Sequence, residues 1–140
     1  MNAKCCRVED LSYEKRRMID NSLDAKSIYL TVESSGMDPK SKTVYYQIEV
    51  GVFIEGNINI HVVTLRYSQL SLLNSELTKS KSEWFQNSQI VFPPKSWIQK
   101  SDPTFLSDRL EKLKLYLECL TKIPNITSNS TFKEMFKLKF

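Results

Sequence analysis

The stretch VTLRYSQLSLL, residues 63–73, decides how the chain is organised. Its first half completes an alternating run from Ile58, and period-two alternation marks a strand with one face buried. Its second half spaces Leu70, Leu73 and Leu77 by three and four, the interval of one helical face. A strand therefore passes straight into a helix, with Arg66 and Tyr67 at the seam. An arginine at that position stands at the mouth of a strand, where an anion can approach it.

Upstream, SIYLTVESS sets Ile28, Leu30 and Val32 against Tyr29, Thr31 and Glu33, which predicts a strand broken by Gly36 and Pro39. From Thr43 the alternation resumes, with Val44, Tyr46, Ile48, Val50, Val52 and Ile54 on one face. Glu55–Asn57 reads as a hairpin turn because Gly56 tolerates positive φ. Residues 1–27 are charge-dense, and Val8, Leu11, Lys15, Met18 and Ile19 fall only loosely on one helical face. They read as a charged N-terminal extension, a linker or a marginal helix.

Downstream, the first helix is predicted from about Ser68 into residues 79–82, and the twin prolines Pro93 and Pro94 then impose an extended segment. A second helix opens with Asp102 as cap and Pro103 in its first turn, and ends near Lys122 and Pro124. Its apolar stripe is Leu106, Leu110, Leu113, Leu117 and Leu120. At about 100° per residue, Arg109 lies roughly 60° from the centre of that stripe, a rim position. A last short helix offers Phe132, Met135 and Phe136. The fold class is α+β: a three-stranded antiparallel β-meander followed by a helical subdomain with a proline-rich loop.

Composition narrows the function. A chain of 140 residues, 41% hydrophobic, can build one core but hardly two. Its 20 basic against 16 acidic side chains favour anionic partners without the charge density of a nucleic-acid wrapper. No helix-turn-helix or ribonucleoprotein aromatic motif supports a nucleic-acid partner. The apolar runs, such as VGVFI, are about five residues long against roughly 18 for a membrane span. Cys5, Cys6 and Cys119 form neither a disulfide framework nor a Cys-x-x-Cys pair, which points to a reducing, cytoplasmic setting. The single histidine, His61, reads as structural, so no enzyme activity, cofactor, metal or small-molecule substrate is expected. Gly51 and Gly56 lack the Lys and Ser or Thr of a phosphate loop, and the Asn125 and Asn129 sequons read as chance matches. A helix-rim arginine, a strand-end Arg-Tyr pair and a lysine after two prolines suit one small anionic ligand, as an inositol phosphate headgroup would be.

RYSQL at 66–70, FPPK at 92–95 and the pattern R-x-x-x-L-x-x-Y-L-x-x-L from Arg109 to Leu120 resemble, in order and spacing, the Phox homology (PX) domain of sorting nexins. The resemblance begins at residue 28 and sets the expected domain at 28–140. It implies a phosphoinositide-binding module, preferring phosphatidylinositol 3-phosphate, that is peripheral on the endosomal membrane and works in protein sorting. Arg66 then resembles the residue that grips the 3-phosphate, and Tyr67 the ring under the inositol. Lys95 resembles the lysine at the 1-phosphate, and Arg109 the arginine at the 4- and 5-hydroxyls. Trp97 and Ile98 resemble the apolar tip pushed into the bilayer, with Met37 as a helper. The sequence departs from the family at Leu65, where a second basic residue often stands, and at Gln69 and Leu70 in place of an acidic-aromatic pair.

Blander readings stand beside these. Arg109 can form an exposed ion pair with Asp108 or Glu111, Tyr67 can be a hydrophobic staple, and Trp97 and Ile98 can fold back over the core. The alternative function is a PX-like domain that has lost the lipid and binds a protein partner in a trafficking complex, a reading to which Leu65 lends support.

Overall fold

The computed structural model describes residues 4–21, 27–79, 91–95 and 103–139. Strands β2 (Ile28–Met37), β3 (Val44–Ile54) and β4 (Asn57–Arg66) form the expected antiparallel meander. Glu55 and Gly56 both have positive φ, 49° and 85°, which matches the twist of a two-residue hairpin. The expected three strands are corrected to four: β1 (Lys4–Arg7) pairs antiparallel with β4, giving the order β1-β4-β3-β2. Periodicity missed β1 because KCCR is too short and too polar to alternate. A short 3-10 turn and helix α1 (Tyr13–Asn21) follow it.

This N-terminal segment divides the labour of the sheet. Ile28, Leu30, Val32, Tyr46, Ile48, Val50 and Val52 face the helices, joined from β4 by Val63 and Leu65. On the other face, Tyr29, Ile58 and Ile60 pack under Leu11 and Ile19, with Cys6, Val8 and Met18 around them. β4 is therefore buried on opposite faces at its two ends, which corrects the single buried face expected of its alternation from Ile58. Lys15 pins α1 down by donating to Glu49 Oε2 at 2.6 Å, and Glu33 lies 3.4 Å away. Burial alone would lower the pKa of Lys15, but Glu49 and then Glu33 hold it above the ordinary value. Tyr29 donates to the same Glu49 oxygen at 2.6 Å.

The helical layer closes the main core. α2 (Tyr67–Lys79) buries Leu70, Leu73 and Leu77 as its spacing predicts. α3 (Pro103–Leu120) buries Arg109, Leu113, Tyr116, Leu117 and Leu120, whereas Leu106 and Leu110 stay half-exposed. The stripe is thus rotated toward Arg109, because the aromatic side chains of neighbouring elements cover that flank. α4 (Ser130–Met135) is capped by Asn129, whose Oδ1 accepts from the Phe132 N–H at 2.9 Å. Phe132 and Phe136 are fully buried. His61 holds this end to the sheet at 2.7 Å from the Phe136 carbonyl, and since a carbonyl only accepts, Nε2 carries the proton.

Two predictions follow from this packing. A Cβ at Gly51 would stand 2.0 Å from Cε2 of the buried Tyr29, a ring its hydrogen bond to Glu49 cannot release. Gly51→Ala is expected to lower stability by about 1–3 kcal/mol in urea unfolding; a neutral result would mean that the ring has room to move. Burial raises the pKa of Tyr29, Tyr46 and Tyr116 in the folded state. Their contribution is complete below the unfolded value, about pH 10, and is lost progressively as pH rises from there toward the raised folded values. The denaturation midpoint should hold to about pH 9.5 and fall beyond; constancy to about pH 11 would contradict the account.

Candidate functional site

The site is built on the seam between β4 and α2, where Arg66 ends the strand and Tyr67 begins the helix. A helix start leaves backbone N–H groups without intrahelical partners. Gln69, third in the helix, reaches back so that its Oε1 accepts from the Arg66 N–H at 2.8 Å, the second half of a capping box. Where the resemblance implies an acidic residue, an amide oxygen makes the bond. The backbone carrying Arg66 and Tyr67 is fixed by it.

Tyr67 organises its surroundings. Its hydroxyl donates to the Pro93 carbonyl at 2.6 Å, and its ring lies 5.2 Å from Phe92. Phe92 meets Tyr116 edge-on at 4.9 Å, and the Tyr116 hydroxyl donates to Asn74 Oδ1 at 3.0 Å. The proline segment is thereby tied to both α2 and α3. The guanidinium of Arg109 lies against two rings, 4.0 Å from the Tyr67 centroid and 4.5 Å from that of Phe105. Each such contact is worth about 0.5–2 kcal/mol, more as it is desolvated.

Arg109 is 8% exposed, so the rim position read from the sequence is corrected to a buried one. Among the described residues no carboxylate pairs with it: Asp108 bridges to Lys112 at 3.0 Å and Glu111 to Lys114 at 3.4 Å. Its Nε has no hydrogen-bond partner, and neither has the hydroxyl of Tyr46. Burial raises the pKa of that phenol, and the charge of Arg109 draws it partly back down. Arg109 acts on that hydroxyl first by its charge and then as an incipient hydrogen-bond partner, at a geometry that falls short of a full bond. Tyr67 shows the same balance, raised by burial and lowered by Arg109.

The other expected site residues are placed as follows. Arg66 is exposed, is paired in register with Tyr45, and enters the cluster as the chain neighbour of Tyr67. Lys95 is exposed, two residues beyond Pro93. Met37 ends β2 opposite Val44, at the same end of the sheet as Arg66 but about two strand spacings, roughly 10 Å, from it. Trp97 and Ile98 lie outside the described residues. Tyr46, Phe92 and Phe105 are the contributors that pattern reading missed. Their spacing signals only core, and nothing in the sequence shows which core residues border a cation. Leu65 is buried in the main core, so the place of the missing basic residue is an apolar one. Leu65 and Gln69 line part of an open cleft of about 570 Å³, and Met37 and Tyr45 part of one of about 380 Å³; Arg66, Tyr67, Lys95 and Arg109 line neither. Among the described residues no group of His, Cys, Asp or Glu gathers as a metal site would require.

The family model described as PX domain matches residues 56–139. Among solved structures, a designed CISK-PX domain aligns with TM-score 0.64 at 22% identity, covering 77% of this chain and 97% of its own. The mouse SNX19 PX domain, crystallised with a bound sulphate ion, aligns with TM-score 0.63 at 19% identity, covering 81% and 99%. Likeness at these identities establishes the fold. Among curated proteins none matches the sequence.

Gln69→Ala is expected to lower stability by about 1 kcal/mol through loss of the cap, with Gln69→Glu restoring it. Equal stability of all three proteins in urea unfolding would show that the seam needs no cap.

Proposed function

The chain belongs to the PX domain family, whose members generally are non-enzymatic modules that bind phosphoinositides in membrane trafficking, and on that premise we propose that it binds phosphatidylinositol 3-phosphate on endosomal membranes. The observation that carries the reading is the buried guanidinium of Arg109, which lies against two rings and pairs with no carboxylate among the described residues. A buried cation is costly unless something compensates it, and an anionic or hydroxyl-rich ligand supplies that compensation. In this reading Arg66 takes the 3-phosphate through a two-pronged contact, and Tyr67 lies under the inositol ring. Lys95 meets the 1-phosphate, and Arg109 takes the 4- and 5-hydroxyls.

Recruitment then needs two modest terms. A phosphomonoester carries about −1.5 to −2 charges near neutral pH, and an anionic surface attracts each nearby Lys or Arg by about 1 kcal/mol. Insertion of Trp97 and Ile98, helped by Met37, adds up to about 1.5–3 kcal/mol for each large side chain that is fully buried. No helix of the described residues is long and apolar enough to cross a membrane, so attachment in this reading is peripheral.

Sedimentation with vesicles carrying each phosphoinositide tests this. Wild type should pellet with the 3-phosphate lipid, Arg66→Ala should fail to, and Trp97→Ala should bind vesicles weakly while keeping its affinity for a short-chain soluble lipid. Equal pelleting on every acidic vesicle, erased by salt, would replace the reading with a diffuse basic surface.

A further inference from the structure

Two buried polar atoms lack a partner of full hydrogen-bonding geometry, and their residues act on each other: Arg109 is the group whose charge and incipient hydrogen bond reach the Tyr46 phenol. Nε of Arg109 and the hydroxyl of Tyr46 are the unpaired buried side-chain polar atoms among the described residues. Arg109 is 8% exposed and Tyr46 is 1% exposed. A native core tolerates few such atoms, because each forfeits the hydrogen bonds it had in water. A phenylalanine at position 46 would fill the same space on β3 without that penalty. The hydroxyl therefore answers a need other than packing.

The geometry of Arg109 suggests the need. Two rings stand at 4.0 and 4.5 Å from its guanidinium carbon, and the N–H groups at its edges are what it can offer a polar partner. Contact with the rings limits where the guanidinium lies but leaves the aim of its N–H groups open, because the attraction of a ring for a cation is broad in direction. A polar partner has to fix that aim. A carboxylate would fix it but would also neutralise the charge that an anionic ligand needs. A phenol accepts an N–H and leaves the charge intact.

We propose that Tyr46 is the positioning residue of the headgroup site: its hydroxyl takes the Nε edge of Arg109 when ligand engages the opposite edge, and so sets which ring oxygens the cation can reach. The proposal rests on the phosphoinositide reading and assigns Tyr46 the discrimination among headgroups. Position 46 lies one residue from Tyr45, the register partner of Arg66. One strand thus carries both neighbours: Tyr45 is in register with Arg66, and Tyr46 lies in the main core on the helix side of the sheet.

The test uses Tyr46→Phe, which removes one oxygen atom. Calorimetry with short-chain phosphatidylinositol 3-phosphate should show affinity about tenfold lower, the worth of one hydrogen bond to a charged group. The preference over the 3,5-bisphosphate should shrink with it. The melting temperature should hold or rise, because an unpaired buried hydroxyl has been removed. In an Arg109→Lys background the same substitution should weaken binding less than twofold, since a residue that acts through another loses its effect when that other is changed. Tyr46→Phe binding with wild-type affinity and selectivity would overturn the proposal, as would a drop in melting temperature that accounts for the loss. If Arg66→Ala abolishes binding while Tyr46→Phe leaves it unchanged, only the positioning role falls. If wild type binds no phosphoinositide, the functional reading falls and takes this inference with it.

Discussion

The stacking of Arg109 on Tyr67 is the contact on which the site half of the molecule depends. It joins the middle of one helix to the first residue of another, and through the Tyr67 hydroxyl it reaches the proline segment as well. Removing the ring would leave a desolvated cation against apolar surface, a far less favourable state than an exposed one. The seam is correspondingly stiff. The strand ends, the helix begins at the next residue, and Gln69 closes the turn. A ligand arriving there meets cationic groups on a backbone already organised, so little ordering entropy has to be lost on binding.

The opposite end of the sheet is held by different means. Lys15, Tyr29 and Glu49 form one polar cluster beneath α1, with Glu33 at its margin. The ring of Tyr29 lies over Gly51, where no side chain could be accommodated. Ile58 and Ile60, on the strand that ends at Arg66, need the N-terminal segment to cover them. That segment therefore completes a second, smaller core. It is far from the candidate site but shares β4 with it.

Much of this was legible in the residues. The alternation of β2 and β3, the leucine spacing of α2 and the positive φ at Gly56 were each carried by local chemistry and appear where expected, although β2 runs through Gly36 to Met37 instead of breaking at the glycine. What escaped was set by distant partners. β1 is a strand because β4 offers it an edge, and four residues such as KCCR contain no period to announce that. Arg109 appeared as a rim residue because a helical wheel weighs only its own helix. Two rings, one from Tyr67 far away in sequence and one from Phe105 on its own helix, decide that the position is interior.

The sequence by itself determined the order and type of the main elements and the identity of the cationic residues, since hydrophobic period, turn chemistry and side-chain charge are properties of neighbours along the chain. Only the tertiary structure decided which face of β4 each end buries, that the Arg109 guanidinium is enclosed, and that the Tyr46 hydroxyl is buried within its field. Burial and the pairing of polar atoms are relations between residues far apart in sequence, and they exist only once packing has brought those residues together.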